Sequence, residues 1–207
     1  ARRCAGAWPE ALEHGDWTLP LASPAHACFT ELIARFSATR FPDCTDLNAL
    51  LGAEHCSGSG VPIRFVPAGE IASQHEAYEA RIFRLGEIAT REGNWHDLFN
   101  ALAWLAFPSA KRALNRAHHQ HMLREDGQRS TARDVLTLFD ESGVLAACAD
   151  PGLATLLREF RWKPLFWERR LDVAMHMRFF VFGHGLLDQA LRPFPGMTGK
   201  ALVLDVE

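Results

Sequence analysis

The chain has 207 residues, of which 48% are hydrophobic and 23% are charged, and its formal net charge is -3. This composition is typical of a globular protein with one domain and excludes a largely disordered chain. The slightly acidic balance gives no general attraction for nucleic acid, so we expect no nucleic-acid partner. No apolar run approaches the length of a membrane span, so we expect no membrane partner either.

The cysteines indicate a reducing environment. They are five in number, which is odd, and no Cys-x-x-Cys pair occurs. This pattern argues against a disulfide framework and against a zinc ribbon. The basic start of the chain has no apolar segment of the kind that forms a signal peptide. The sequence therefore predicts a cytoplasmic protein.

The first third of the chain is predicted to contain two short helices. Residues 1–22 look irregular, with Trp8 and Trp17 as anchors, and precede a single domain over residues 23–207. The stretch "SPAHACFTELIARF" has helical spacing after Ser23, a good N-cap. The stretch "TDLNALLGAEHC" predicts a second helix, opened by Thr45 or Asp46.

Strands are predicted to follow the short helices. The stretches "VPIRFVPA" (61–68) and "AYEARIFRLGEI" (77–88) both show partial alternation of apolar residues, which predicts a pair of strands joined as a hairpin. Two helices, over 94–106 and 109–122, are separated by Pro108, which cannot continue a helical hydrogen-bond ladder.

The last third mixes both kinds of element. The stretch "DVLTLFDESGVLAACAD" (134–150) predicts a hairpin, with a helix for its first run as the alternative. Asp150 is expected to cap a helix in "DPGLATLLREF", and "KPLFWERRL" to form a helical turn. A strand over "VAMHMRFFVF" (173–182), a helix over "GHGLLDQAL" and a final strand complete the chain. The predicted class is α+β, with several helices packed on a small β-sheet in one domain.

The stretch "NWHDLFNALAWLAF" (94–107) is the most informative part of the sequence. At 100° per residue, one helical face carries only Trp95, Leu98, Phe99, Leu102, Leu105 and Ala106. The opposite side holds His96 and Asn100 among aromatic and small residues, so it is expected to be covered too. Buried polar groups without partners cost about 1–3 kcal/mol each, so these groups need other side chains, a metal or a ligand.

A purely structural interpretation of the same stretch stays open. Asn94 is a good N-cap, and Asp97 lies at the third helical position, where a carboxylate closes a capping box. His96 can likewise be a core histidine that binds a carbonyl group.

Further candidates lie in three other places. His184 stands between two glycines where a β-rich run becomes helical, a common position for binding groups. Asp140 and Glu141 are expected in a turn. His118, His119 and His121 end the second long helix, where histidine also suits the helix dipole. Lys111 and Asn115 on that helix are expected at the surface.

These residues predict a candidate site with three sets of roles. His96, Asp97 and His184 are the catalytic candidates; His96, Asp97, His118 and His184 are the metal candidates; Trp95, Asn100, Asp140 and Glu141 are the ligand-contact candidates. Such nitrogen and oxygen ligands suit Zn²⁺, Mn²⁺ or Fe²⁺.

We weigh three functions for this set. The first is a metal-dependent hydrolase of a phosphoester or amide in an aromatic-lined pocket, with a metal-free variant in which His96 is the general base. The second is a non-catalytic module that binds a small ligand or a partner protein. The third is a structural hydrogen-bond network.

Four motifs also carry a family resemblance. The run "NWHDLFNALAWLAFPSAKRALN", with "LTLFDESGV", "WKPLFWERR" and "VFGHGLLDQAL" after it, resembles the bacterial family known as domain of unknown function 3025. The resemblance extends from about residue 20 to the end. It implies family features at Trp95 to Asn100, Phe139 to Glu141 and Phe182 to His184, and it implies no particular activity.

Overall fold

A central helix, α4 (Trp95–Ala106), organises the main core of the protein. The computed structural model describes residues 16–18, 21, 23–70, 77–125 and 128–207. Nine of the twelve residues of α4 are buried, including Asn100, which confirms the predicted burial on both sides of this helix. The Asn94 side chain caps α4 by accepting a hydrogen bond from the Asp97 amide at 3.0 Å.

Two helices pack against α4 and shape the site. Helix α5 (Pro108–Met122) follows after a single residue, Phe107, because Pro108 fits the first turn of a new helix but not the interior of an old one. Helix α9 (His184–Gln189) packs along α4. All three helices agree with the sequence-based prediction.

The N-terminal part covers one side of this core. A 3₁₀ turn (Pro24–Phe29) leads into α1 (Thr30–Ile33), and α2 (Cys44–Asn48) follows. The cap of α2 is Asp43, whose carboxylate accepts the amides of Thr45 and Asp46, so the prediction that one of those two residues opens the helix was wrong. Trp17 is buried, whereas Trp8 and most of the segment 1–22 lie outside the described residues.

The first sheet differs from the predicted hairpin. Strand β1 (Arg64–Pro67) pairs in parallel with β2 (Glu87–Thr90), and helix α3 (Tyr78–Leu85) connects them. The predicted strand over 77–88 is therefore helical for most of its length. Gly86 ends α3 in the left-handed conformation at φ 70°, which glycine adopts without steric cost.

The second sheet joins the last third of the chain. Helix α6 (Thr131–Ser142) runs directly into β3 (Gly143–Cys148), so the helical alternative for the first run of 134–150 is the correct one and the hairpin was wrong. Helix α7 (Pro151–Arg158), capped by Asp150 as predicted, and a π-helical turn (Pro164–Glu168) follow.

The remaining elements complete that sheet. Helix α8 (Arg170–His176) replaces the first half of the strand predicted over 173–182, and only β4 (Met177–Val181) is extended. Strand β5 (Lys200–Asp205) pairs in parallel with β3, while β4 pairs with β3 antiparallel, which gives the order β4-β3-β5. One face of this sheet forms a second, smaller core with α7.

The whole is an α+β fold in one domain, as the sequence predicted. In the part of the chain that the structure describes, no helix is both long enough and apolar enough to cross a lipid bilayer.

Two glycines allow α9 to approach the end of α6. A β-carbon on Gly183 would lie 2.5 Å from the backbone of Ser142 and Gly143, and one on Gly185 would lie 2.3 Å from a carboxylate oxygen of Glu141. Such distances are far shorter than van der Waals contact. The Gly-His-Gly motif is therefore explained by close packing, which brings His184 to Glu141.

We expect Gly183→Ala to destabilise the fold, because the new methyl group meets rigid backbone rather than a side chain that can move. Overpacking of this kind costs about 1–3 kcal/mol in the free energy of unfolding, measured by urea denaturation. The matched control is Gly69→Ala, whose β-carbon would meet nothing within 4 Å. Equal unfolding midpoints for the two variants would contradict the packing explanation.

Candidate functional site

A cavity of about 410 Å³ opens between α3, α4, α5, α6 and α9. Most of the residues that line it have polar or charged side chains, although α3, α4 and α9 also contribute residues to the main core. The residues that line it are Ala77, Tyr78, Glu79, Ala89, Arg91, His96, Asp97, Asn100, His118, Arg129, Arg133, Thr137, Asp140, Glu141 and His184.

Two histidines and one glutamate converge at one place in this wall. The Nε2 atom of His184 lies 3.5 Å from Oε1 of Glu141, and the Nε2 atom of His96 lies 3.9 Å from the same oxygen. One ligand atom from each of the three residues lies within 4.8 Å of the others. We call this group the HEH cluster.

Each member of the HEH cluster comes from a helix end. His96 is the second residue of α4, His184 is the first residue of α9, and Glu141 lies in the last turn of α6. Each of the three residues is attached to a rigid helix. The packing of α9 on α4 and of α6 on α9 therefore sets the positions of the three side chains.

A carboxylate faces the other ring nitrogen of each histidine. The Nδ1 atom of His96 lies 4.0 Å from Asp188, and that of His184 lies 3.7 Å from Asp140. Both rings thus present Nε2 to Glu141 and Nδ1 to an acid. Both separations are longer than a hydrogen bond, so the acids act on the rings through their charge. A carboxylate on this side of the ring is typical of metal-binding histidines.

The surroundings favour metal-binding protonation states for two of the three members. Burial, helped by the neighbouring His184, lowers the pKa of His96, so its ring is neutral at pH 7. Interaction with the His184 ring lowers the pKa of Glu141 despite partial burial of its carboxyl group, so Glu141 is ionised. A neutral imidazole and a carboxylate are the forms that bind metals.

A hydrogen-bond chain through the buried residues Asn100 and Lys111 ends beside the HEH cluster. The Asn100 amide donates to the Tyr78 hydroxyl at 2.8 Å, and the Lys111 ammonium donates to Asn100 Oδ1 at 2.9 Å. Lys111 also donates to Asp140 at 2.6 Å. The chain thus ends at the acid that faces His184, and it gives Asn100 the partners that its burial demands.

Lys111 is the charged centre of that chain. Its side chain is only 4% exposed, so the prediction that it lies at the surface was wrong, and Asn115 is buried as well. The ammonium lies 5.4 Å from the centre of the Trp104 ring, which adds a cation–π contact. Burial raises the pKa of Asp140, but Lys111 and His184 together outweigh it, and the net pKa lies below the usual value.

Asp97 lies in the cavity wall but belongs to a different interaction. Its two carboxylate oxygens accept hydrogen bonds from the backbone amide and the guanidinium of Arg91, at 2.7–2.9 Å. Burial opposes ionisation of this carboxyl group, yet Arg91 prevails and lowers its pKa. Asp97 therefore holds Arg91 at the cavity, and its carboxylate is not directed at Asn94 as a reciprocal capping box requires.

The remaining predicted residues are divided between the cavity and the core. Trp95 is buried against Trp17, Phe41 and Phe99, away from the cavity lining. His118 is buried and lines the cavity, but it is not part of the HEH cluster.

The other two histidines of that helix are not in the cavity lining. His119 stacks on Phe83 with ring centres 3.7 Å apart, and His121 is partly exposed.

The sequence did not predict a role in the site for Asp188, Lys111 or Arg133. Asp188 follows His184 by four positions, a spacing that places both on one face of α9 and that provided a usable signal. Lys111, Asn115 and His118 are the buried residues of α5, at helical spacing. Arg133 gave no local signal, because it ends the polar stretch "REDGQRSTAR" (124–133).

The fold and the cluster define an α+β protein with a candidate metal centre at the junction of three helices. The model of one protein family, described as "Protein of unknown function (DUF3025)", matches residues 63–207 of the chain. The chain therefore belongs to the DUF3025 family. No curated protein and no solved structure matches it.

We expect Lys111→Met to destabilise the protein strongly at neutral pH, because Asp140 would stay buried without its cation. Removal of one partner of a buried ion pair costs about 3–5 kcal/mol in the free energy of unfolding. Without Lys111, burial dominates and raises the pKa of Asp140. Stability is then lost as the pH rises above the value for an unfolded Asp, about 3.9, so the deficit grows between about pH 4 and pH 7.

Urea unfolding of the variant at both ends of that pH range measures this effect. Adding Asp140→Asn to Lys111→Met should recover part of the lost stability, since the double variant leaves no unpaired charge. The matched control, Lys163→Met, changes an exposed lysine and should shift stability by no more than about 0.5 kcal/mol. A deficit that does not depend on pH would contradict the role of the buried charge.

Proposed function

We propose that this protein is a divalent-metal-dependent hydrolase of a small molecule, with His96, Glu141 and His184 as the metal ligands. The observation that carries the proposal is the HEH cluster, in which two ring nitrogens face one carboxylate oxygen at 3.5 and 3.9 Å. These separations are close to those between neighbouring ligand atoms around one metal ion with bonds of about 2.0–2.2 Å.

The ligand set narrows the choice of metal. Two imidazoles and one carboxylate suit Zn²⁺, Mn²⁺ or Fe²⁺ and are a poor match for Ca²⁺ or Mg²⁺, which prefer oxygen ligands. Catalytic zinc sites use three protein ligands and leave a position for water or substrate. The cavity beside the HEH cluster gives room for both.

The cavity suits hydrolysis of a small polar substrate. A metal ion held here would polarise the bond to be cleaved and lower the pKa of water. Hydrolysis places the hydroxyl of water on the phosphorus or carbonyl carbon and its second proton on the leaving group. The side chains of Asn100 and Arg91 line the same cavity and can hydrogen-bond the substrate.

A cytoplasmic location is part of this proposal. The four cysteines that the structure describes are free thiols, as a reducing compartment requires. Cell fractionation with an antibody tests it, and recovery of the protein in an extracellular fraction would contradict it.

We expect metal-free protein to bind one equivalent of Zn²⁺, Mn²⁺ or Fe²⁺ in calorimetric titration, and Glu141→Gln to weaken that binding about 100-fold or more. The substitution keeps the shape of the side chain and removes the charge that neutralises the metal. Asp188→Asn should weaken binding about 10–100-fold, because it removes the partner of the His96 ring and no ligand.

The matched control is His176→Asn, which removes an exposed histidine of α8 and should leave the affinity unchanged. All proteins are purified without a histidine tag. Absence of stoichiometric metal from the wild type after titration with each of the three ions would refute the metal centre.

We expect the metal-loaded protein to hydrolyse at least one member of a panel of chromogenic phosphoesters and amides. Chelation should abolish turnover and the added metal should restore it, while Glu141→Gln stays inactive. Tight metal binding without turnover on the whole panel would contradict the hydrolase and favour the non-catalytic binding module.

A further inference from the structure

The cavity extends along α6 well beyond the HEH cluster. Arg133, Thr137 and Glu141 follow one another at four-residue spacing on this helix, and all three line the cavity. Eight residues of helix span about 12 Å, so Arg133 begins a second region at that distance from Glu141 along the helix axis. This region also includes Arg129 and His118.

Arg133 is held firmly at this end of the cavity. Its side chain is 13% exposed, and its Nη1 atom donates to the Glu125 carboxylate at 2.7 Å. The amide of Ser130 and Arg133 itself lower the pKa of Glu125 to about 2, so Glu125 is ionised at neutral pH. The guanidinium is thus fixed by a permanent ion pair and does not move freely in solvent.

Two polar atoms in this region are buried without a partner among the described residues. They are the Nε atom of Arg133 and the Nδ1 atom of His118, whose residue is only 3% exposed. The Nε atom of arginine can only donate, so its missing partner must be an acceptor. A buried donor left without an acceptor costs about 1–3 kcal/mol.

Two guanidinium groups in this region can pair with an acceptor that is an anion. Arg129, Arg133 and His118 line the same cavity. Burial lowers the pKa of His118, Glu79 and Asp140 oppose that shift, and the two arginines add to it. Arg129 donates to Asp134 and to Thr137 through Nε and Nη2, and its Nη1 donors have no bond to the described residues. Planar guanidinium groups bind phosphate and carboxylate through paired hydrogen bonds.

Two carboxylates near His118 oppose this attraction. Asp140 is paired with Lys111 at 2.6 Å, which leaves the Glu79 carboxylate. It lines the cavity and accepts a hydrogen bond from the Asn115 amide at 2.8 Å. That bond engages one oxygen of the carboxylate, Oε2.

We propose that Arg133, Arg129 and His118 bind an anionic group of the substrate, a phosphate or a carboxylate. This inference rests on the proposed function, since it assigns the bond that is cleaved to the HEH cluster and the anionic group to the arginine end of the same cavity. The substrate is then a small molecule that carries its charge at a distance from the reacting bond. The HEH cluster at one end of the cavity and the arginines at the other then set the orientation in which the substrate binds.

The test is calorimetric titration of inorganic phosphate, and separately of acetate, into metal-free protein in the presence of a chelator. We expect the wild type to bind at least one of the two saturably, and the tighter anion identifies the group. Arg133→Gln should weaken that binding at least about tenfold, and Arg133→Lys should weaken it too, because lysine keeps the charge and loses the Nε donor.

Folding and specificity need their own controls. Arg129→Gln changes a largely exposed side chain, and melting temperatures are measured for every variant, so that weaker binding is distinguished from unfolding. Arg112→Gln removes an exposed arginine of α5 and should bind the anion as the wild type does. Saturable binding that Arg133→Gln and Arg129→Gln leave unchanged, or no saturable binding of either anion, would overturn the inference.

The outcome is independent of the metal centre. Glu141→Gln should keep the anion affinity of the metal-free wild type while it loses metal. A protein that binds metal and neither anion would refute only the anion site. A protein that binds an anion at Arg133 and no metal would support the anion site and refute the hydrolase.

Discussion

The buried Lys111 ammonium is the interaction on which the candidate site depends. It lies between Asn100 and Asp140, at 2.9 and 2.6 Å, and both of those residues line the cavity. A buried cation without a carboxylate is too costly to keep, and the same is true of Asp140 without Lys111. The fold therefore keeps α5 and α6 in one relative position. Because Asp140 also faces His184, that position places a carboxylate 3.7 Å from one ring of the HEH cluster.

Close packing and buried charge act together where α9 contacts the end of α6. Gly183 and Gly185 let α9 touch the end of α6, where a β-carbon would lie 2.5 Å from backbone or 2.3 Å from the Glu141 carboxylate. The approach brings His184 between Glu141 and Asp140, and it brings Asp188 to His96 one turn later. Each histidine lies between two acids because of two features of the packing. The glycines set the distance between α9 and α6, and the Lys111–Asp140 ion pair sets the orientation of α6 relative to α5.

The sequence predicted those parts of the fold and site that depend on local pattern. The helix over 94–106, its burial on both sides and its Asn94 cap follow from residues within one segment, and the α+β class follows from the mix of segments. The prediction failed where local patterns were ambiguous. In "AYEARIFRLGEI", the alternation of Tyr78, Ala80 and Ile82 suggested a strand. The signals of the helix that forms are an acid in its first turn, a base in its last turn and a glycine at its C-terminal end, which are Glu79, Arg84 and Gly86.

The location of the polar residues could not be predicted in the same way. Lys111 and Asn115 are ordinary surface residues by composition, and only the packing of α5 on α3 and α6 buries them. Glu141 was expected in a turn as a ligand contact, yet at the end of α6 it stands between His96 and His184. The local sequence shows which residue types a helix contains. Only the packing of the helices decides which of those side chains are buried away from water. A titratable group that is forced out of water must find a charge, a metal or a ligand. For that reason, the histidines and acids at the junction of α4, α6 and α9 carry the functional argument, and the similar residues on exposed helix faces do not.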